Sequence, residues 1–426
     1  MKILFWFSLL VIIALLGAPL FTVFAAVAML AFNGEGISSS AVIIDMFRMT
    51  SMQALIAIPL FTFAGYMLAE SKTPQRVINL SRALLGWMPG GLAIVALCTC
   101  AIFTAFTGAS GVTIVALGGL LYPILIKEKY PDRFSLGLMT TSGSLGLLFP
   151  PSLPMILYAI IAEVSIDKLF IAGLLPGTVL VVLLSLYAIR IAKYADVPRQ
   201  EFDWAAVRKS IRDAAWEIPL PFLLLGGLYG GLFTATEAAA ITAFYVFVVE
   251  VLIYRDLKLF TDVPRVMKDS MLLVGAILII VGCALSLTGY LIDQQVTQKL
   301  FEFVKGFISS KWVFLVVLNL FLLVVGMMMD IFSAIIVVVP LILPIAQYYG
   351  VDPIHLGIIF LANLEIGYLT PPFGLNLFIA SFRFQKSFIQ VFRSVVVFIG
   401  ILIVALLIIT YVPGLSLWLV NLLHIR

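Results

Sequence analysis

The chain has 426 residues, of which 63% are hydrophobic and 11% charged, and its formal net charge at pH 7 is +4. Several apolar runs reach the roughly 20 residues that a helix needs to cross a bilayer, and the short alternating segments of a transmembrane β-barrel are missing. We therefore expect an all-α polytopic membrane protein in contact with lipid and with no nucleic-acid partner. Three Cys and two His are too few for a disulfide framework or a Cys/His metal cluster.

The N-terminal segment predicts membrane spans rather than a cleaved signal peptide. Residues 1–32 are apolar apart from a break at 17–19, and the apolar run continues well past a short signal-peptide core. The segment is either one long span or two short spans that meet at the break. The symmetry described below requires two spans, with Met1 outside.

The remaining elements are predicted from apolar runs and the polar segments between them. In chain order they are a span at 51–70, an amphipathic arm at 71–87, a hairpin at 89–130, a broken helix at 134–161, a span at 169–191, a polar linker at 193–213, spans at 217–233, 238–254 and 270–292, a second arm at 293–311, a second hairpin at 312–349, a second broken helix at 355–381 and a last span at 395–423.

Two matching stretches, 107–152 and 328–373, indicate an internal duplication. The residues that recur at the same spacing are Pro123, Gly146, Pro150 and Pro151 in the first stretch and Pro344, Gly367, Pro371 and Pro372 in the second. In each copy an apolar run turns back at a small or polar tip and is followed by a run that a Gly and a Pro-Pro pair interrupt. Unpaired backbone at membrane depth is tolerated only inside protein or beside water, so each copy predicts a re-entrant helical hairpin and a broken helix around a site.

The distribution of Lys and Arg predicts the orientation of the chain. These residues concentrate in the polar segments 72–82, 127–133, 190–212, 255–268 and 383–393. The positive-inside tendency places those segments in the cytoplasm, which includes both feet of the first hairpin. The second arm and the second hairpin then lie on the outer side, so the duplication is predicted to be inverted.

Four motifs carry a resemblance to a known family. They are TGASGVTIVALGGLLYPIL at 107–125, SGSLGLLFPPS at 142–152, GLFTATEAAA at 231–240 and LTPPFGLNLF at 369–378. Together they resemble the large membrane subunit of TRAP (tripartite ATP-independent periplasmic) transporters, over essentially the whole chain. The resemblance implies a sodium-driven importer of an organic acid in the bacterial inner membrane. Sialic acid and C4-dicarboxylates are both substrates of the family.

The resemblance also implies partners and a mechanism. A periplasmic binding protein delivers the substrate, and a small four-helix membrane subunit completes a heterodimer, which we expect to be a separate polypeptide here. A transport domain moves like an elevator against a static scaffold. On this basis 1–88 comprises N-terminal scaffold spans and the first arm, 89–168 the first half of the transport domain, 169–311 further scaffold spans, the linker and the second arm, 312–382 the second half of the transport domain, and 383–426 the C-terminal span.

We expect two or more sodium ions, one at each hairpin tip, because unwound backbone and Ser, Thr, Asn or Asp side chains can supply the oxygen ligands. The candidate ligands are Gly108, Ser110, Thr113, Ser142 and Ser144 in the first half and Asp330, Ser333, Asn363, Glu365 and Thr370 in the second. The alternative for the hydroxyl groups is a hydrogen bond to a carbonyl of their own helix. Asp330 and Glu365 are the acidic residues predicted deep in the membrane, where a lone charge costs at least about 2.5–3.5 kcal/mol. A proton relay through this pair is the rival interpretation.

The substrate anion must be held without basic residues, since neither tip nor helix break contains Lys or Arg. Helix N-termini after the tips and after the Pro-Pro pairs are the available positive groups. The candidate substrate contacts are Thr107, Ser110, Ser152, Ser333, Asn376 and Arg383, although Arg383 can equally be a positive-inside anchor.

Three other functions are alternatives to a TRAP-type transporter. A membrane enzyme is not expected, because no Ser-His, Cys-His or metal constellation is present. A channel or passive scaffold fits poorly with two inverted hairpins. A self-sufficient sodium- or proton-coupled anion symporter, including one that works as a homodimer, remains the alternative within transport.

Overall fold

The computed structural model describes residues 20–197 and 201–423, and the regular structure in this part is entirely helical. The predicted break at 17–19 lies outside the described residues. The helices are α1 (Leu20–Gly34), α2 (Ser40–Met49), α3 (Ala57–Glu70), α4 (Thr73–Leu85), α5 (Gly91–Thr107), α6 (Ser110–Lys127), α7 (Asp132–Ser142), α8 (Leu153–Ile161), α9 (Ile166–Tyr194), α10 (Trp204–Asp213), α11 (Pro219–Tyr229), α12 (Ala235–Phe247), α13 (Asp262–Asp293), α14 (Val296–Phe307), α15 (Lys311–Met328), α16 (Ile331–Tyr348), α17 (Pro353–Gly367), α18 (Leu375–Phe384), α19 (Phe388–Tyr411) and α20 (Gly414–Leu422). Short 3-10 segments lie at Gln53–Ile56 and Leu145–Leu148, and a π-helical segment, Val248–Ile253, continues α12.

The prediction of an all-α polytopic membrane protein is confirmed. Within the described residues, eight helices are long and apolar enough to cross a membrane, or nine if the pair formed by Asp132–Leu148 and Leu153–Ile161 counts as one span bent by 43°. That bent pair is the first predicted broken helix. In the second, α17 ends at Gly367 and α18 begins at Leu375, so residues 368–374 form the break.

Two predicted spans were wrong in extent. The span predicted at 217–233 contains only α11, whose 11 residues reach roughly 16 Å, because Gly230 and Gly231 follow it and Gly231 has a φ of +67°. The last predicted span at 395–423 is two elements: α19 starts earlier, at Phe388, and ends at Tyr411, and α20 starts after Pro413. Pro413 has no N–H to continue the ladder of α19.

Capping side chains explain where several helices begin. Thr234 and Glu237 form a capping box at the start of α12, and Ser387 and Gln390 form one at the start of α19. The Oδ1 atom of Asp352 accepts hydrogen bonds from two backbone N–H groups at the start of α17. Glu237, in the third of the four sequence motifs, therefore has a local role as a helix cap.

The basic segments of the chain meet at one end of the molecule. The polar contacts there are Arg76 with Asp256, Arg82 with Glu128, Arg133 with the backbone carbonyl of Arg393, and Lys386 with Asp132. The linker helix α10 packs along the arm helix α4 at the same end. This arrangement agrees with the common cytoplasmic side predicted from the distribution of Lys and Arg.

The first arm is fastened to this end by a buried ionic cluster. Arg76 on α4 pairs with Glu217, donates to Glu250 Oε2 at 3.2 Å and donates to Asp256 Oδ2 at 2.6 Å. The hydroxyl of Thr73 donates to Glu250 Oε1 at 2.7 Å. The side chains of all three acids are at most 7% exposed. The arm is therefore tied to the turn before α11, to the π-helical segment after α12 and to the loop that follows.

The two hairpins enter from opposite ends. Helix α19 has 24 residues, about 36 Å, and runs from the basic end to Thr410, whose carbonyl lies 3.3 Å from His355 Nε2 at the start of α17. Lys311 at the start of α15 donates to the carbonyl of Gly350 at 2.7 Å. The feet of the second hairpin thus lie far from the basic end, where the first hairpin has its feet, as an inverted duplication requires.

The hairpins differ in how their limbs pack. In the first, α5 and α6 lie against each other and turn at Gly108, which has a φ of +64°. In the second, α15 and α16 scarcely touch. Helix α15 packs instead along α17, where a Cβ on Gly367 would lie 2.4 Å from the carbonyl carbon of Gly326. The second tip is therefore held mainly by its neighbours and not by its own hairpin partner.

Candidate transport site

The two hairpin tips line one cavity of about 350 Å³. Its lining residues come from α3 (Tyr66), the first tip (Gly108, Ala109, Ser110, Gly111 and Val112), the first break (Leu147), α13 (Leu273, Ala276, Ile277 and Ile280), the second tip (Asp330, Ile331 and Phe332), the second break (Tyr368) and α18 (Leu375 and Ile379). The cavity therefore has one side built by the hairpins and breaks and another built by α3 and α13.

Three helices begin at this cavity. Ser110 starts α6, Ile331 starts α16 and Leu375 starts α18, and all three line the cavity. The backbone N–H groups and dipole of a helix N-terminus favour an anion. The described lining residues include no Lys, Arg or His, and Asp330 is the acidic residue among them. The site can therefore hold an anion and a cation without any basic side chain.

The first tip is connected to both helix breaks. Thr104 donates a hydrogen bond to the carbonyl of Gly143 at 2.9 Å, and its Oγ1 atom lies 2.6 Å from Oγ1 of Thr113. Ser110 donates to Oδ1 of Asn376 at 2.8 Å, in the restart of the second broken helix. Thr113 therefore lies beside the first break, as the sequence predicts. The bond between Ser110 and Asn376 joins the two halves, whereas the sequence suggested that each tip pairs with its own break.

Three polar groups around the first tip have spare hydrogen-bonding capacity. The hydroxyls of Thr107 and Ser152 and the Nδ2 atom of Asn376 are buried without a hydrogen-bond partner among the described residues. Gly108 lies close to Leu153, the residue after Ser152. Buried polar groups are nearly always satisfied, but none of these three residues lines the cavity, so the structure shows them beside it and not in contact with its space.

Other predicted hydroxyl ligands donate to backbone carbonyls three or four residues earlier in the chain. Ser142 donates to the carbonyl of Met139 at 3.4 Å, Ser144 to that of Thr141 at 3.3 Å, and Thr370 to that of Ile366 at 2.9 Å. This is the own-helix alternative stated above. The oxygen of each hydroxyl still has lone pairs, so a hydroxyl that donates to a carbonyl can also act as a ligand to a cation.

At the second tip, Asp330 caps α16. Its Oδ1 atom accepts from the N–H groups of Phe332 and Ser333, both at 3.0 Å, and its Oδ2 atom accepts from the Ser333 hydroxyl at 2.5 Å. The hydroxyl of Tyr368 accepts from the N–H of Ile331 at 2.7 Å and so ties the second break to the tip. Asp330 and Ser333 are together as predicted. Tyr368 was missed, since nothing in its apolar surroundings in the sequence marks it.

Asn363 and Glu365 do not join Asp330. Asn363 donates to Oδ1 of Asn319 at 2.7 Å, and Asn319 lies roughly 16 Å before Asp330 along α15. Glu365 is 1% exposed, and neither carboxyl oxygen has a hydrogen-bond partner among the described residues. The structure therefore shows no relay between Asp330 and Glu365.

Arg383 is held away from the cavity. It donates from Nε to the carbonyl of Val115 at 2.8 Å, and its guanidinium covers Gly119, where an added Cβ would lie 1.7 Å from Nη2. Val115 is roughly 8 Å beyond Ser110 along α6. The structure therefore does not place Arg383 among the substrate contacts; it ties α18 to the second limb of the first hairpin.

The chain is similar to known proteins over most of its length. The family model for the DctM component of the tripartite ATP-independent periplasmic transporter matches residues 4–415. The C4-dicarboxylate TRAP transporter large permease protein DctM of Pseudomonas aeruginosa is 37% identical over 400 residues, covering 93% of this chain and 92% of that protein. The ectoine/5-hydroxyectoine TRAP transporter large permease protein UehC of Ruegeria pomeroyi is 32% identical and covers 97% of each. The YdaH transporter structure from Alcanivorax borkumensis superposes with a TM-score of 0.59 over 85% of each chain at 13% identity, which is a likeness of fold.

Proposed function

The chain belongs to the DctM family of tripartite ATP-independent periplasmic transporters, and from this membership we propose that it is the large transmembrane subunit of a sodium-coupled importer of an organic acid. The family is one of transporter permeases, and the protein is a multi-pass protein of the bacterial inner membrane. The resemblance read from four sequence motifs is thereby confirmed. Sodium coupling and the transported acid belong to the proposal.

The observation that carries the proposal is the shared cavity. Three helix N-termini, at Ser110, Ile331 and Leu375, can hold a carboxylate, and the carboxylate of Asp330 in the same cavity can hold a cation. Asp330 compensates one sodium ion, so a second sodium ion or the substrate carboxylate bound alone leaves an uncompensated charge in a mostly apolar space, which is costly. Binding both together offsets that cost. This reciprocal dependence is the physical basis that we propose for coupling.

We place one sodium ion at each tip. At the second, Asp330 supplies the charge and Ser333 a hydroxyl oxygen. At the first, the ligands are neutral: the hydroxyl of Thr113 and the backbone carbonyls near Gly108 and Gly143, supported by Thr104. The described residues contain no group of three or more His, Cys, Asp or Glu side chains that could hold a metal ion, so an ion that accepts neutral oxygen ligands fits better than a transition metal.

An elevator movement fits the two-sided construction of the cavity. The hairpins and breaks, which hold the proposed ligands, form one side, and α3 and α13 form the other. We propose that the first group moves as a transport domain and that α3 and α13 belong to the scaffold. The arm α4, tied through Arg76, would keep its end of the scaffold in place while the hairpins move.

The family description as one component of a tripartite transporter supports two partners. We propose a one-to-one complex with a small four-helix membrane subunit and delivery of substrate by a periplasmic binding protein. Sialic acid and C4-dicarboxylates remain predicted substrate classes. The alternative of a self-sufficient sodium- or proton-coupled anion symporter has no observation in its favour here.

Reconstitution tests the proposal. The large subunit is placed in proteoliposomes with or without its small subunit and binding protein, and uptake of labelled organic acids is measured under a sodium gradient, a proton gradient or neither. We expect uptake only with both partners and a sodium gradient. Uptake driven by protons alone would overturn the sodium assignment, and sodium-driven uptake by the large subunit alone would establish the self-sufficient symporter.

A further inference from the structure

We propose that the cytoplasmic end of the protein binds the headgroup of an aminophospholipid, in a cavity between the first arm, α4, and the linker helix α10. This cavity has a volume of about 350 Å³ and shares no lining residue with the cavity between the hairpin tips. The proposal is therefore independent of the transported solute. The ligand chemistry is a phosphate and a primary ammonium group carried on acyl chains.

Two helix faces form this cavity. The lining residues of each helix recur three, four or seven positions apart, which places them on a single face. They are Ala206, Lys209, Ser210 and Asp213 on α10 and Asn79, Arg82 and Ala83 on α4. Because α10 packs along α4, the two faces enclose the space between the helices.

The cavity brings together charges of both signs. The cations Arg82 and Lys209 line it together with the acids Glu201, Asp203 and Asp213. Lys209 and Asp213 are one helical turn apart on α10, but in the part of the chain that the structure describes no ion pair joins them. A ligand that carries a negative and a positive group a few ångströms apart can contact both. Water can also solvate exposed charges, so the location of the cavity decides between a ligand and solvent.

The location of the cavity indicates a membrane lipid. It lies at the basic end of the molecule, which the positive-inside tendency places at the cytoplasmic surface. Trp87 lines the cavity and contacts Phe202, which contacts Trp204, with ring centroids 6.2 Å and 5.1 Å apart. The three side chains are 48%, 43% and 75% exposed. Exposed Trp side chains are typical of the headgroup level of a bilayer, so the cavity lies where a phospholipid presents its polar part.

The mixed charge of the lining selects among headgroups. A purely anionic headgroup meets repulsion from the acids as well as attraction by the two cations. In an aminophospholipid the phosphate pairs with Lys209 and Arg82, and the primary ammonium group donates hydrogen bonds to Asp213 or Glu201. The quaternary ammonium group of a choline lipid has no N–H to donate. Phosphatidylethanolamine is therefore the probe of the proposed class.

The first experiment compares headgroups on the purified full chain. The protein is incubated in detergent with an equimolar mixture of phosphatidylethanolamine, phosphatidylcholine and phosphatidylglycerol that have the same acyl chains, and the retained lipid is measured by native mass spectrometry. We expect phosphatidylethanolamine to be retained roughly 5-fold more than either other lipid, the ratio that one exposed ion pair produces. Equal retention of the three lipids would overturn the proposal.

The second experiment assigns the retained lipid to this cavity. Asp213→Asn removes the charge that faces the ammonium group and should abolish the preference for phosphatidylethanolamine over phosphatidylcholine. Lys209→Gln removes a partner of the phosphate and should lower the retention of phosphatidylethanolamine roughly 5-fold. Asp196→Asn and Arg208→Gln are the matched controls, because both residues are exposed and neither lines the cavity. Equal effects of a variant and its control would overturn the proposal.

A competition experiment separates a lipid from a soluble molecule with the same charges. Soluble phosphoethanolamine, which has no acyl chains, is added to the protein loaded with phosphatidylethanolamine. Acyl chains add affinity for the apolar surroundings of the protein, so we expect displacement to need more than a roughly 100-fold excess. Displacement at a smaller excess would identify a soluble ligand and overturn the assignment to a lipid.

Discussion

Asp330 has two separable roles in this structure, as a helix cap and as a charge in the cavity. Replacement by Asn keeps an oxygen that accepts from the N–H groups of Phe332 and Ser333, and Asn caps helices about as well as Asp. Replacement by Ala removes the cap as well, at a cost of about 1 kcal/mol. Comparison of the two variants therefore separates stability from ion binding.

The expected effect on sodium follows from the loss of one charged ligand. A hydrogen bond or ion contact to a charged group contributes about 1.5–3 kcal/mol, so Asp330→Asn should raise the sodium concentration for half-maximal uptake by roughly 10-fold to 150-fold. Its thermal unfolding should stay close to that of the wild type. Asp330→Ala should show the same loss of sodium affinity together with a lower melting temperature.

Asp352→Asn is the matched control. Asp352 caps α17 through the same two-bond arrangement, at the end of the molecule where Lys311 meets Gly350, and it does not line the cavity. We measure uptake against sodium concentration for both variants in proteoliposomes with partners present. An unchanged sodium dependence in Asp330→Asn would refute the assignment, as would an equal shift in Asp352→Asn.

Three further predictions test the packing around the site. Arg76→Met leaves the carboxylates of Glu217, Glu250 and Asp256 without their shared cation and should lower the free energy of unfolding by about 3–5 kcal/mol. Arg265→Met is the control, because Arg265 and its partner Glu70 are about half exposed, and it should lower the free energy of unfolding by less than about 1 kcal/mol. Equal losses of stability in the two variants would contradict the buried cluster. Thr104→Val removes the hydrogen bonds to Thr113 and Gly143 and should raise the sodium concentration for half-maximal uptake, because it disturbs the first tip. Thr178→Val, which removes an exposed hydroxyl bonded within α9, should leave that concentration unchanged. If the two variants behave alike, Thr104 is a packing residue. Gly65→Ala would put a Cβ 2.2 Å from the carbonyl oxygen of Phe106 and should slow transport by displacing the first tip from α3. Gly400→Ala is the control, because an added Cβ there meets open space. Normal uptake by Gly65→Ala would contradict the importance of this contact.

The Arg76 prediction assumes that the arginine stays charged, and its surroundings support this. Burial lowers the pKa of the Arg76 guanidinium, but the hydrogen bond to Asp256 and the charge of Glu217 outweigh burial and raise the pKa above its ordinary value. The Arg76 guanidinium therefore stays positively charged across the physiological pH range. Because the pKa of Arg76 is raised, the stability that its charge contributes is kept on moderate alkalinisation and is lost only as the pH rises through that raised pKa.

Much of the architecture was predictable from local signals in the sequence. Apolar run length predicts spans, because an isolated helix must satisfy its own backbone in lipid. The Gly and Pro-Pro interruptions predict breaks, since two successive Pro residues remove two backbone N–H donors and disfavour the helical conformation of the residues before them. The turn at Gly108 and the cap at Asp330 follow from residue types that favour those backbone positions. The matching stretches predict the duplication, and the positions of Lys and Arg predict its inversion.

The partners of individual side chains were decided by the tertiary structure. Ser110 and Asn376 lie in opposite halves of the chain and meet because the two broken helices and two tips enclose a single cavity. Arg383 crosses to the backbone of Val115, and Asn363 turns to Asn319 instead of to Asp330. Sequence periodicity reports which face of a helix is polar, but not which of several neighbouring helices that face will meet. That choice depends on how the helices pack, and it determines which of the predicted ligands share a site.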